Sequence, residues 1–317
     1  MPPAPKILYK YRAFTTRTIE QLCGDRLYFA DPSTFNDPLD CKPRVQADCD
    51  LPTLERIMFE LVRRRKAAEM TSAASRAKLR GPKTQQHIDK VSRAEAQRLI
   101  GELAYLATDP EYSATPPSPH VSLLVAEIEL ELLRRYDKGV FSLARRYDCP
   151  LMWSHYGEQH HGMCLGYAVP ADGFAGLHEV SYGGGRLVSA KKVAAMVVHD
   201  DGDDAAQREV DAAVLLRKAG EWRYEREWRL LGPRGLSDAP LELCEVIFGL
   251  RCAEAVKHTV ARALHGRERP VRLYEIVEVT DSFRLKRRPV DVDELAVYFP
   301  RRSRSAEEDF DAIDTTG

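Results

Sequence analysis

A long helical block interrupts a run of short strand-like segments, and that order limits the folds open to this chain. "LERIMFELVRRRKAAEM" and "VSRAEAQRLIGELAYLA" carry apolar residues at helical spacing on a charged background, and "VSLLVAEIELELLRRYDK" follows as a third helix. On either side the apolar pattern alternates or runs short. "ILYKYR" and "MCLGYAV" read as strands, and "CEVIFG", "CAEAVKHTVARALHG" and "VRLYEIV" make a strand-helix-strand unit. The pattern predicts an α+β protein with a mixed, mainly antiparallel sheet core. One domain is expected over residues 1–300, with a helical insertion at about 51–137 and a charged, frayed tail over 301–317.

Local signals place the boundaries. Thr15 or Thr16 caps a short helix that Gly24 stops, and "LYFADPSTFNDPLD" is a strand running into a turn-rich loop. "TSAASRAKLRGPKTQQ", poor in large apolar residues, is expected to be a mobile connection, and "ATPPSPH" a linker. "VFSLARR" is a candidate strand, "CPLMWSHYG" a short helix or turn, and "DDAAQREVDAAVLLRKAG" a helix. "MCLGYAV" sets Met163, Leu165 and Tyr167 on one face against Cys164, Gly166 and Ala168, a small face that leaves room for a close approach. "WRYEREWRLL" read as a strand puts Glu225 and Glu227 on the same side.

Charge and cysteine usage narrow the class. A formal net charge of -1 gives no global field for nucleic acid, so "RRRK" at 63–66, "RLKRR" at 284–288 and "RRSR" at 301–304 read first as solvated faces. Nucleic acid is therefore not the favoured partner. The start "MPPAPKILYKYR" has no apolar signal core, and no stretch is apolar and long enough for a bilayer. Seven cysteines without regular spacing suit reduced thiols. The expectation is a cytoplasmic protein without a membrane partner.

His155, His160, His161 and Cys164 crowd into "MWSHYGEQHHGMCLGY" and invite a zinc reading. The five-residue step from His155 to His160 does not place both on one helix face, and no Cys-x-x-Cys pair completes a set. No metal is expected. His155 or His161 could instead act as a general base or donor, or be structural. Asn36 and Asp37 before Pro38 suit an Asx-type turn, with Asp37 and Asp40 alternatively facing a cleft. Tyr9 and Tyr11 could stack on a ring or pack in the core. Arg12 could hold a diphosphate or an ion pair with Asp37 or Asp40. Arg226 and Arg229 could form surface pairs of little energetic value.

Taken together and in this order, "LYKYR", "LYFADPSTFNDPLD", "LMWSHYGEQHHGMCLGY" and "YEREWRL" resemble the bacterial family known as domain of unknown function 2971. The likeness covers most of the chain outside the insertion and the tail, and implies no activity. The opening order of strand ending in Arg, helix ending in Gly and "LYFA" strand is similar to the start of ADP-ribosyltransferase-like domains. That second resemblance implies NAD, as substrate, in a cleft between two parts of a split sheet. It implies Glu227 as the catalytic carboxylate with Glu225 beside it, and His155 and Tyr156 in the middle motif. Arg12, Tyr11, Asn36, Asp37, Ser154 and His161 would bind the nucleotide, and Ser142 is the other candidate for the middle position. The implied function is an ADP-ribosyltransferase or NAD glycohydrolase, of the kind used as a bacterial toxin or phage-defence effector, with its acceptor macromolecule open. The rivals are a metal-dependent nuclease or phosphodiesterase and a ligand-sensing module without turnover.

Overall fold

Eight strands share one sheet and six more form three two-stranded pairs in a computed structural model that describes residues 5–109, 118–135, 138–174, 176–198 and 204–301. In chain order the elements begin with β1 (Ile7–Arg12), α1 (Thr16–Cys23), β2 (Arg26–Phe29) and β3 (Arg44–Gln46). Three long helices follow, α2 (Leu51–Arg76), α3 (Pro82–Leu106) and α4 (Pro119–Arg135). Then come β4 (Lys138–Ala144), α5 (Pro150–Tyr156), β5 (Met163–Ala168), β6 (Leu177–Glu179), β7 (Ser181–Tyr182) and β8 (Leu187–Ser189). The chain continues through α6 (Ala190–Val197), α7 (Asp204–Leu215), β9 (Arg217–Lys218), β10 (Glu227–Pro233), β11 (Gly235–Asp238) and β12 (Glu242–Phe248). It closes with α8 (Glu254–Leu264), β13 (Arg272–Val279), β14 (Ser282–Pro289) and α9 (Val292–Tyr298).

The sheet runs β14-β13-β12-β5-β1-β4-β10-β6. Only β12 and β13 are parallel, the pair that the helix α8 joins; the other neighbours are antiparallel. The α+β class with a mixed, mainly antiparallel sheet is what the sequence pattern predicts. One face packs Leu8, Phe141, Leu165 and Phe248 against Leu22 of α1 and Val260 and Leu264 of α8. The other face packs Tyr9, Tyr11 and Cys164 against Met152 and Trp153 of α5. A third core joins α2, α3 and α4 to α6 and α7, so the helical block is anchored by later segments of the chain as well as by itself.

Several helix starts follow from their caps. Thr15 accepts from the Thr18 amide to start α1, and Asp50 accepts from the Thr53 amide to start α2. The expected mobile connection is shorter than predicted: Thr71–Arg76 continue α2, and Lys83–Gln86 lie in α3. Alanine and long straight side chains favour helix there despite the lack of large apolar residues, and Gly81 with Pro82 supplies the restart. Residues 114–117 of the predicted linker, and the tail after Arg301, lie outside the described residues. No described helix is long and apolar enough to cross a membrane.

One joint sets the geometry of everything that follows. β1 registers with β5 through six residue pairs and β4 with β10 through seven, but β1 meets β4 only at Tyr9 and Ala144. The sheet is continuous in order and parted at this seam.

The stretch after α5 is held in a strained turn. Glu158, Gln159 and His160 all have positive φ, at 52°, 53° and 72°. Left-handed backbone costs a non-glycine residue about 1–2 kcal/mol, so the turn must be fixed by its surroundings. Gly249 donates to the Gly162 carbonyl at 2.9 Å and Arg251 to the His160 carbonyl at 3.0 Å. A Cβ on Gly249 would lie 2.1 Å from the His160 oxygen, and one on Gly162 would lie 2.2 Å from the Arg12 oxygen. Gly249→Ala is therefore expected to destabilise by about 2 kcal/mol, within the range for overpacking a tight site. Gly101→Ala, where an added Cβ meets no atom within 4 Å on the exposed side of α3, should stabilise by about 0.5–1 kcal/mol. Urea midpoints of the two variants that move in the same direction would contradict this account.

Candidate functional site

A cavity of about 310 Å³ occupies the seam. It is lined from both faces of the sheet, by Lys10 and Leu143 on one and by Tyr9, Tyr11, Ser142 and Ala144 on the other. It therefore passes between β1 and β4. Asn36 and Asp40 of the loop after β2 close one side, and Tyr156, Lys218, Glu225 and Glu227 the other. None of its lining residues belongs to α2, α3 or α4.

The two carboxylates reach this cavity by a route the strand reading did not foresee. Gly220–Glu225 is a 3-10 turn, Arg226 is left-handed at φ 44°, and only at Glu227 does β10 begin. A left-handed residue separates the turn from the strand, and both side chains converge on one ammonium. Lys218 Nζ lies 2.6 Å from Glu225, 3.2 Å from Glu227 and 3.6 Å from Asp40. The Tyr182 hydroxyl accepts from the Glu227 amide at 2.6 Å and fixes the start of the strand.

Beneath them lies Arg229, wholly buried rather than on the surface. Its Nε donates to Glu227 at 2.9 Å, and one terminal nitrogen donates to Glu227 at 3.1 Å and to Asp40 at 2.7 Å. The other donates to the Leu215 carbonyl at 2.7 Å and to Cys41 Sγ at 3.1 Å. All five guanidinium N–H groups are thereby used.

These contacts drive the two carboxylates apart in acidity. Burial alone would raise Glu227, but Arg229 and Lys218 overcome it and bring its pKa down to about 2. Burial dominates at Glu225 and raises its pKa despite Lys218. Its other oxygen accepts from the Tyr156 hydroxyl at 2.8 Å, and Asn36 donates to that hydroxyl at 3.3 Å. Burial and the neighbouring Glu225 raise the Tyr156 phenol, which stays protonated as a donor. Lys218 is kept charged by Glu227 and Glu225 against its own burial.

Lys10, like Lys218, lines the cavity without being singled out by any sequence signal. Burial, reinforced by Arg12, lowers its pKa to about 7, while Glu227 and Glu225 oppose the shift. Its ammonium sits 5.0 Å from the centre of the Phe141 ring, with no hydrogen bond or ion pair to a described residue. In a strand that alternates, a lysine looks like a solvent-facing position, and its enclosure by β4 has no local signal.

Several predicted residues lie elsewhere. Arg12 shares the face of Leu8 and Lys10, where burial, aided by Arg17 and opposed by Tyr167, lowers its pKa, and it neither lines the cavity nor pairs with Asp37 or Asp40. Ser154 and His155 are exposed on α5; Ser154 bonds back to the Pro150 carbonyl, and His155 rests near the rings of Tyr156 and Tyr224. His161 is exposed, its ring nitrogen at the Glu158 carbonyl. Tyr11 is a wall whose hydroxyl is committed to the Arg146 carbonyl and whose ring meets Trp153 edge-on. Asp37 makes the expected Asx turn to the Leu39 amide and also accepts from Trp222 Nε1 at 2.8 Å. The histidines and Cys164 do not converge: His160 stacks on Trp153 while Cys164 is buried with Tyr9 and Tyr11. The small face of β5 is used by Glu245, whose Cγ would lie 2.5 Å from a Cβ on Gly166.

The run at 63–66 and part of that at 284–288 are tied internally, and residues 302–304 of the third lie outside the described residues. Arg63 pairs with Glu60, Arg65 with Glu131 and Glu69, and Arg64 donates to the Val197 carbonyl. Arg287 and Arg288 pair with Glu245 and Glu275. Comparison with protein-family models, curated proteins and solved structures returned no match.

Two stability measurements test this electrostatic arrangement. Arg229→Met leaves Asp40 and Glu227 buried with less compensation, and should cost about 3–5 kcal/mol in denaturant unfolding. Lys10 behaves oppositely. Its folded pKa lies below its unfolded value, so wild-type stability from this group rises as pH climbs from about 7 towards 10.5. Lys10→Met should therefore be the more stable protein at pH 7, with the advantage shrinking at pH 9.5. A difference that stays constant over that range would contradict the assignment.

Proposed function

We propose that this chain cleaves the N-glycosidic bond of NAD at the seam, as an ADP-ribosyltransferase or an NAD glycohydrolase. The observation that carries the reading is one cleft holding two carboxylates of opposed acidity, Glu227 depressed and Glu225 raised. Such a pair divides the labour of stabilising charge and moving a proton.

Loss of nicotinamide leaves a cation-like ribose, as in glycoside hydrolysis. The C1–N bond breaks and its electron pair leaves with the pyridine ring. Glu227, ionised throughout the neutral range, faces the developing positive charge. Water or an acceptor hydroxyl then bonds to C1, and its proton passes to Glu225, the more basic carboxylate. Tyr156, supported by Asn36, orients Glu225. Three carboxylates, Asp40, Glu225 and Glu227, meet two cations, Lys218 and Arg229, a formal balance of -1. Lys10 adds little positive charge above pH 7. A negative cleft suits a pyridinium substrate.

A metal-dependent phosphodiesterase has less support, because Lys218 and Arg229 fill the space between the carboxylates where a divalent ion would sit. All seven cysteines are free thiols, which suits a cytoplasmic setting such as that of a toxin or phage-defence effector.

The test is release of nicotinamide from NAD by the full chain, with labelled NAD and cell extract present to capture an acceptor. Glu227→Gln should lower the rate about 10²–10³-fold. Glu225→Gln, whose carboxylate has fewer ionic partners, separates lost chemistry from lost folding when both variants are checked by unfolding. NAD that binds without product would make the cleft a sensor, and no binding at all would remove NAD from consideration.

A further inference from the structure

The seam cavity has a neighbour. A second cavity, of about 240 Å³, shares Asp40 and Lys218 with it and lies between the loop at Lys42, the Gly183–Gly185 turn and the segment from Arg217. Its walls are chemically different. Lys42, Arg186 and Arg217 join Lys218 there, and none of the first three pairs with a carboxylate among the described residues. Arg186 donates Nε and a terminal nitrogen to the Lys42 carbonyl at 3.2 and 2.8 Å. Arg217 donates to the carbonyls of Gly185 and Leu187 at 3.1 and 3.2 Å. Neutral acceptors fix both guanidinium groups and leave their charge uncompensated.

The acidic residues on these walls are largely engaged. Asp40 is bound by Arg229 and Lys218, and Asp37 accepts from Trp222 and the Leu39 amide; Glu221 alone is an exposed counter-charge. The turn adds backbone donors. Gly183 and Gly184 are left-handed at φ 80° and 83°. Gly183 donates to the Lys218 carbonyl at 3.0 Å, whereas the amides of Gly184 and Gly185 have no backbone acceptor among the described residues. Successive amides in such a turn, beside planar guanidinium groups, are the chemistry that recognises phosphate oxygens.

We propose that this second cavity is an oxyanion subsite, which takes the diphosphate of a nucleotide whose glycosidic end enters the seam. The inference rests on the NAD reading for the ligand's identity. It also supplies what that reading lacks, since Arg12 is not at the cleft to hold phosphate.

The experiment is calorimetric binding of ADP, with adenosine and inorganic pyrophosphate as comparison ligands, to the full chain. ADP and pyrophosphate should bind and adenosine should not. Arg186→Gln combined with Arg217→Gln should weaken ADP on the order of tenfold or more. Lys42→Gln, an exposed side chain that makes no hydrogen bond of its own to a described residue, should weaken it less and keeps the test valid if the double variant unfolds. Affinity for ADP should fall steeply with added salt. Adenosine binding as tightly as ADP, or unchanged affinity in the variants, would overturn the subsite. If ADP binds as predicted but nicotinamide is never released, the subsite stands and the glycosidic reading fails. If nicotinamide is released with an unchanged KM in the variants, the subsite fails and the glycosidic reading stands.

Discussion

The cleft depends on one buried cation. Arg229 has no exposed surface, and every donor it owns is used, by two carboxylates, a carbonyl and a thiol. A guanidinium without water is tolerable only when its donors are satisfied and its charge is met. Those conditions fix Asp40 and Cys41 on one loop, Leu215 at the end of α7 and Glu227 at the start of β10 relative to one another. The position of Glu227 follows from the needs of Arg229 as much as from its own strand.

Room for a ligand comes from the seam. β1 satisfies one edge fully against β5, and on the other it touches β4 at one pair. Beyond that pair Lys10, Tyr11, Ser142 and Leu143 of the two strands border a cavity, and further along β4 Val140 pairs with Ala30 instead of with β1. The sheet does not rest on backbone pairing alone here, because the side-chain layers of both faces, with α1 and α8 on one and α5 on the other, span the joint. A protein can keep a gap where its core does not require contact.

The sequence made the regular elements readable and the charged interior unreadable. α1 with its Thr15 cap and Gly24 stop, the Asx turn at Asp37 and the β12-α8-β13 unit all rest on signals within a few residues. Glu225 and Glu227 were visible as a pair, although for a reason that the 3-10 turn and left-handed Arg226 replace. Lys10, Lys218 and Arg229 were not visible as site residues. Nothing near Arg229 in the chain distinguishes it from a surface arginine, since its partner Asp40 lies 189 residues away. The exposed histidines drew attention because they cluster in sequence, which is a poor guide to where side chains meet in space. Tyr156, between two of them and with no unusual spacing, is the one from that helix that bonds to Glu225.

Separation along the chain has a further consequence, in time rather than in space. Asp37 and Trp222 are 185 residues apart, Asn36 and Tyr156 are 120, and Asp40 waits for Arg229. As the chain leaves the ribosome, the loop after β2 emerges early and the charges it must meet emerge after the whole helical block. Loop closure over such lengths is slow and is made only once the distant partner exists. No nascent chain that stops short of Arg229 can hold a completed cleft. The charges that the early loop must meet are thus supplied only after the helical block has been made.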